Sequence, residues 1–276
     1  MDRRRLAKKR LHLKKGLIII KLGGSVITDK HREFFAKVDM IERISREIAR
    51  IRSRLILIHG AGSFGHPIAK KHDLHLGYKN KRQLEALSET KSRLIDLDKI
   101  LIGLLRKQRV PVVPFMPSSF MLARRGRIIR ADLQPLKTFM ELGIVPLLCG
   151  DVVPDVEIGF SIISGDQTAI YLAERMKARL VIFGCDVDGV YSADPKKNPT
   201  ATLIDVVTPS TFKNLLKISN KPELPDVTGG MLGKIRESLR LAKKGIDVVI
   251  MNLTRPQDLV KLVEGRKVSC TRLTPD

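Results

Sequence analysis

The sequence predicts an α/β protein with an open, mostly parallel sheet sandwiched by helices. Three observations predict it. Apolar, β-rich runs alternate with stretches of helical periodicity along most of the 276 residues. These runs are close to continuously apolar, as strands are when a parallel sheet is covered on both faces. Glycine and small polar residues gather directly after several of the runs, which is where an open α/β sheet places its ligand site.

The first strand is LIIIKL, residues 17–22. Ile41, Ile44, Ile48 and Ile51 recur at helical spacing and place a helix over 39–52. LILIHG, over 55–60, is the second strand. A long helix spans 81–107, with Leu84, Leu87, Leu94, Leu97, Leu101 and Leu104 along one side. VPVVPF (110–115) and GIVPLLCGD (143–151) are strands, joined by a helix near 134–141. In the second half a helix over 167–177 precedes the strand RLVIFGCD (179–186), and a helix over 233–244 precedes the strand DVVIMN (247–252). Loop character changes near Ser164. The expected division is a basic extension over 1–16, an N-terminal lobe over 17–164 and a C-terminal lobe over 165–276.

The formal net charge is +22, which on electrostatics alone suggests nucleic acid or an anionic surface. The pattern does not fit that. Eight Lys or Arg against one Asp fall in the first sixteen residues, and the remaining charge is spread through helices beside Glu and Asp. Aromatic residues are 4% of the chain and Trp is absent, so no aromatic-basic run forms a stacking platform for bases. A basic surface serving an anionic small molecule fits better. No uninterrupted apolar run reaches the roughly 18 residues of a membrane span. The start, MDRRRLAKKRLHLKKG, lacks the apolar core of a secretory signal. Cys149, Cys185 and Cys270 lie in or near apolar segments, which fits buried thiols in a reducing cytoplasm.

Six segments carry chemistry. KLGGSVITDK (21–30) follows the first strand. Gly23 and Gly24 let backbone N–H groups approach a phosphate, and Lys21 and Lys30 bracket the loop with positive charge. HGAGSFGHP (59–67) holds Gly60, Gly62 and Gly65 in the spacing of a dinucleotide fingerprint. That fingerprint needs an acidic residue about 20 positions on, closing the next strand. Here the matching region is the helical, basic YKNKRQLEALSE, and Glu85 is not at a strand end, which counts against a dehydrogenase. His59 and His66 flank the glycines. Each suits an anionic ligand or, alternatively, a structural hydrogen bond.

CGDVV (149–153) offers close approach at Gly150 and a carboxylate at Asp151. In SGDQTA (164–169), Ser164 and Asp166 precede a helix, either as N-caps or, for Asp166, as the group that orients lysines or a metal. In GCDVDGVYSADP (184–195), Asp186 and Asp188 form an Asp/Gly turn or set the loop against a nucleotide base and ribose. DVTGGMLGKI (226–235) places Gly229, Gly230 and Gly233 before Lys234 at a helix start, an anion site. It is not a Walker A loop, whose G-x-x-x-x-G-K-[ST] pattern is absent. No C-x-x-C or H-E-x-x-H metal signature is present, and no Ser-His-Asp or Cys-His nucleophile set stands out. Phosphoryl transfer needs mainly positioning and positive charge over the transferring oxygens, and this inventory suits it.

KLGGS, the G-x-G loop after the second strand, DVDGVY and TGGMLGK resemble, in this order, the pattern of the amino-acid kinase superfamily. HGAGSFGHP, CGDVV and DVTGGMLGK resemble its archaeal isopentenyl phosphate kinases, with SFGH as the discriminating element. The resemblance runs from about Leu17 to the end. It implies the amino-acid kinase fold, an ATP-dependent phosphotransferase with a phosphate acceptor, a step in isoprenoid biosynthesis, Mg²⁺ accompanying ATP, and a cytoplasmic homodimer built through the N-terminal half. It implies acceptor binding in that half and ATP binding in the C-terminal lobe. Lys21, Leu22, Gly23, Gly24 and Ser25 would wrap the ATP phosphates, and Gly62, Asp186, Gly230 and Lys234 would contact ATP. Lys30 would stabilise the transition state, with Lys21 and Lys234 neutralising the transferring group and Asp166 orienting the lysines. Ala61, His66 and Gly150 would hold isopentenyl phosphate, His66 at its phosphate. The helix over 81–107 and the 110–120 segment would wall the isoprenoid tail. The rivals are a related kinase acting on fosfomycin or uridylate and, outside enzymes, a nucleotide- or RNA-binding module. Lys21, Lys30, His66 and Lys234 argue against a non-catalytic protein.

Overall fold

A computed structural model describes residues 16–195, 197–219 and 229–276. The basic extension lies outside the described residues apart from Gly16, as do Asp226, Val227 and Thr228 of the sixth segment.

The described residues form twelve strands: β1 (Leu17–Leu22), β2 (Arg54–His59), β3 (Val112–Pro114), β4 (Met121–Arg124), β5 (Arg127–Ala131), β6 (Val145–Cys149), β7 (Asp151–Asp155), β8 (Gly159–Ile163), β9 (Leu180–Cys185), β10 (Val206–Val207), β11 (Asp247–Asn252) and β12 (Cys270–Leu273). Eight make one sheet in the order β10-β12-β11-β9-β1-β2-β6-β3. β1 pairs in parallel with β2 on one side and β9 on the other. The antiparallel contact in this sheet is β11 with β12. The expected mostly parallel sheet is therefore present, and strands of both halves of the chain hydrogen-bond directly across β1 and β9.

Side chains alternate across β1 and bury on both sides. Ile18, Ile20 and Leu22 join one core, Leu17 and Ile19 the other. The first core packs under α2 (Val38–Ala49) and α4 (Arg82–Lys107). Ile41, Ile44, Ile48 and Ile51 are buried there, as their spacing predicts. The second packs under α5 (Gln134–Glu141), α6 (Gly165–Arg175), α7 (Pro209–Ser219) and α8 (Gly229–Ala242). The stripe expected along α4 holds from Leu94 onward, but Leu84 is 49% exposed. Its first turn buries Gln83 instead, whose amide donates to the carbonyls of His72 and Asp73 at 3.1 and 3.3 Å. Among the described residues no helix is long and apolar enough to cross a membrane.

Two features differ from the sequence expectation. The run after β2 is helical: α3 spans Gly62–Lys71 and contains Pro67. Proline lacks the N–H that would reach Ser63 four residues back. The N–H of Phe34 donates to that Ser63 carbonyl at 3.3 Å, so the helix continues with its bond supplied from outside. The region 121–163 also holds a second, four-stranded sheet in the order β5-β4-β7-β8.

Candidate active site

The carboxyl ends of β1, β2, β6 and β9 meet along one edge of the main sheet. After β1 the chain turns at Gly23, whose N–H donates to the Gly184 carbonyl at 2.9 Å, and enters the short helix α1 (Gly24–Ile27). Ser25 Oγ donates to Asp186 Oδ1 at 3.0 Å, and Lys37 Nζ donates to the Ser25 carbonyl at 2.8 Å. Thr28 joins the first two glycine segments. Its hydroxyl donates to Gly24 O at 2.7 Å and accepts from Ser63 N at 3.1 Å. The segments touch where side chains are missing: a Cβ on Gly60 would lie 2.9 Å from Gly24 N. Gly62 has φ of +50°, and a Cβ there would lie 2.2 Å from Thr28 Oγ1. Only glycine fits both the left-handed backbone and the contact.

Positive charge converges on one carboxylate. Asp166, in the first turn of α6, receives Lys21 Nζ at 2.9 Å on Oδ1 and Lys234 Nζ at 3.5 Å on Oδ2. Ser164 caps the same helix, accepting Gln167 N at 3.1 Å. Of the two alternatives left open for this segment, Ser164 takes the cap and Asp166 holds the lysines. Burial pushes the Asp166 carboxyl up, but Lys21 and Lys234 outweigh it and hold its pKa below the ordinary value. Burial disfavours the Lys234 ammonium, yet Cys185 Sγ, 3.6 Å away, and Asp166 more than offset this and raise its pKa. Lys234 is therefore a fixed cation. Its Nζ also sits 5.6 Å from the centre of the Phe183 ring.

Ala61, His66 and Gly150 frame the other half of this edge. Ala61 precedes α3, His66 projects from it, and Gly150 N donates to the His59 carbonyl at 2.9 Å. His66 is exposed, although surrounding protein still desolvates its ring in part. That partial desolvation, followed by the charges of Lys21 and Lys30, lowers its pKa, so the ring is neutral at pH 7. Lys30 is exposed and reaches this group through its field. The edge thus gathers two anchored ammoniums, a glycine-lined turn and an exposed histidine.

The amino acid kinase family model matches residues 16–252. The isopentenyl phosphate kinase of Methanothermobacter thermautotrophicus is 40% identical over 266 residues, which cover 94% of this chain and 99% of that protein. That of Methanocaldococcus jannaschii is 36% identical over 230 residues, covering 79% and 85%. The chain belongs to the amino acid kinase family. A solved structure described as an isopentenyl phosphate kinase matches it with a TM-score of 0.82 at 38% identity, covering 94% of this chain and 100% of that one.

The kinase fold sorts the remaining candidates. Lys21, Leu22, Gly23, Gly24, Ser25, Gly62, Asp166, Asp186 and Lys234 gather around the first turn, and Gly230 lies in the first turn of α8. Three polar residues at strand ends or just beyond them are held by partners within the protein instead. His59 is fully buried against Asp98. Asp151 pairs with Lys91 and accepts Ser118 N at 2.9 Å. Asp188 accepts Asn252 Nδ2 at 3.0 Å and pairs with Arg255. Cys149, Cys185 and Cys270 are free and buried, as expected. Sequence reasoning passed over Thr28, Lys37 and Asp98. Their partners come from other segments, so no local spacing marks them.

The donor set also bears on Mg²⁺. Among the described residues, the His, Cys and acidic side chains that approach one another at ligand spacing are His59, Asp98 and Cys149, all buried beneath this edge rather than open on it. Asp166 is committed to two lysines. The edge therefore suits a divalent ion carried on nucleotide phosphates, the usual habit of Mg²⁺, and offers no cage of its own.

Proposed function

We propose that this kinase transfers the γ-phosphoryl of ATP to isopentenyl phosphate, giving isopentenyl diphosphate and ADP. The observation that carries the proposal is the Lys21–Asp166–Lys234 bridge beside a glycine-lined turn, with Lys21 near enough to His66 for its charge to act on the ring. An acceptor phosphate oxygen attacks the γ-phosphorus, and the bond from that phosphorus to the β–γ bridging oxygen breaks. The acceptor is already ionised near pH 7, its second pKa being about 6, so no general base is needed. Lys21 and Lys234 lie against the oxygens that gain charge, and the exposed ammonium of Lys30 adds to them. His66 donates an N–H to the acceptor phosphate. Ala61 and Gly150 leave room for it, and Gly24 and Ser25 take the ATP phosphates through backbone N–H groups, while the Gly23 N–H holds the turn to the Gly184 carbonyl. Mg²⁺ bound to ATP would supply further neutralisation of the phosphates.

The same proposal assigns the acceptor to residues 17–164 and the nucleotide to 165–276 together with the β1 turn. The isoprenoid tail would lie toward the buried apolar cluster beside α3, built from Ile68, Leu74, Ala86, Val152 and Phe160. Homodimerisation through the N-terminal half is supported by Leu84 and Ile95, exposed apolar residues on α4. A cytoplasmic location goes with the free cysteines.

The test is ADP formation by the purified protein with Mg²⁺ and ATP, offered isopentenyl phosphate, fosfomycin and uridylate in parallel. Turnover on isopentenyl phosphate far above the other two is the expected result. Preference for another acceptor moves the function to a related kinase. A basic nucleic-acid module would show instead RNA binding that weakens steeply with salt.

A further inference from the structure

His59 closes β2 with its ring fully buried, and Asp98, on α4, is 4% exposed. An acceptor faces each ring nitrogen. Asp98 Oδ1 lies 2.8 Å from Nε2, and the Gly60 carbonyl lies 3.1 Å from Nδ1. A neutral imidazole has one N–H and can satisfy only one of them. The pair therefore needs a cation between nitrogen and carboxylate, either a second proton or a metal. Cys149 Sγ completes a group whose ligand atoms all lie within 4.8 Å of one another. A proton is the better occupant. The 2.8 Å separation is a hydrogen-bond length. Burial, Asp151 and Asp98 also push the Cys149 thiol well above its ordinary pKa, so the sulfur keeps its hydrogen.

The same residue ties two segments together. Its carbonyl accepts Gly150 N at 2.9 Å, and its ring accompanies the Gly60 carbonyl, one residue before Ala61. The helix bearing His66 starts directly after. We propose that His59 and Asp98 are positioning residues for the acceptor half of the site. As a hydrogen-bonded buried pair they fix Gly60, Ala61 and Gly150, so that His66 meets the acceptor phosphate at a set distance. The lysine bridge of the nucleotide half hangs on Asp166, whose ion-pair partners among the described residues, Lys21 and Lys234, do not include this pair. The inference rests on the proposed phosphoryl transfer, but not on which phosphate is the acceptor.

The test compares Asp98→Ala with Asp98→Asn in the full-length protein, using whichever of the three acceptors the wild type phosphorylates. The Asn variant keeps a partner, since its amide N–H donates to a neutral Nε2 while Nδ1–H still serves Gly60. Displacing an acceptor contact by an ångström costs up to about 100-fold. Asp98→Ala is expected to raise the acceptor KM at least about tenfold and leave the ATP KM within about twofold. Asp98→Asn should stay near wild type in both. An unchanged acceptor KM in Asp98→Ala overturns the proposal. So does a rise in both KM values together with a lowered Tm, which marks a merely structural role. Stoichiometric zinc in the wild type, lost in Cys149→Ala, overturns the proton-shared pair in favour of a metal. A wild type inactive on all three acceptors removes the kinase proposal first and this one with it.

Discussion

Replacing Asp166 by Asn keeps the side-chain shape and removes one negative charge from between two ammoniums. Lys21 Nζ stands 2.9 Å from one carboxylate oxygen and Lys234 Nζ 3.5 Å from the other. At an effective dielectric constant of about 20, these contacts represent roughly 6 and 5 kcal/mol of Coulomb attraction. Desolvation offsets much of that, because the Lys21, Lys234 and Asp166 side chains are 12%, 9% and 22% exposed. Removing one partner of a buried pair costs about 3–5 kcal/mol, and the residual exposure of Asp166 puts the loss at the low end of that range. The larger effect is on turnover. Two like charges without their bridge move apart, and an ångström of misplacement costs about 100-fold. Asp166→Asn is expected to lower kcat about 100-fold and leave the acceptor KM little changed. There is also a pH signature. Burial opposes the Lys234 charge, and Cys185 and Asp166 together raise its pKa. Without the carboxylate that pKa falls, so the alkaline limb of the rate profile moves to lower pH. Steady-state kinetics across pH measures both effects. Wild-type kcat with an unmoved alkaline limb would refute the role given to Asp166.

Three further predictions follow from other parts of the fold. Asp155 is buried at the turn between β7 and β8. It accepts the N–H groups of Gly126, Glu157 and Ile158 at 3.0, 3.0 and 3.2 Å, as well as the Ser161 hydroxyl. Burial pushes its carboxyl up, but these bonds hold it well below the ordinary range. Its stabilisation is therefore present above the unfolded value of about 3.9 and is lost as pH falls below it. Asp155→Asn should cost about 1–3 kcal/mol at neutral pH, read from denaturant melts, and should flatten the acid dependence of Tm. Gly62→Ala forces a left-handed alanine against Thr28 and should cost about 2 kcal/mol or more; an unchanged Tm would contradict the contact. His66 is neutral in the free protein, and a phosphate dianion placed against it raises its pKa. Acceptor binding should therefore take up a fraction of a proton near pH 6.5. Calorimetry in two buffers measures this, and His66→Gln should abolish it.

The central strands were legible because β1, β2, β9 and β11 each carry at least four consecutive apolar residues, as the strands of a doubly covered sheet do. The turn after β1 was legible for a related reason, since two glycines directly after an apolar strand mark a sharp reversal of the chain. The second sheet was not. Its strands have four or five residues, and β5 (RIIRA) is exposed along much of its length, so the alternation is weak. The helix over Gly62–Lys71 was hidden by two glycines and Pro67, each a helix breaker locally, and is rescued by a long-range bond from Phe34. His59 and His66 looked alike in sequence, flanking the same loop. What separates them is the fold, which sets one against Asp98 under α4 and opens the other toward Lys21 and Lys30. The pairing of Lys21 with Lys234 through Asp166 was implied by family resemblance. No spacing in the chain reveals it, because its members come from three distant segments.

The account turns on His66 presenting an N–H to an acceptor phosphate beside the bridged lysines. The most direct measurement is ³¹P NMR of the products formed from ATP and isopentenyl phosphate by the wild type and by His66→Ala. A new diphosphate resonance growing with ADP in the wild type, and slowed in His66→Ala by at least about 100-fold, is the predicted result. Equal rates in the two proteins, or release of inorganic phosphate without the diphosphate, would contradict the account.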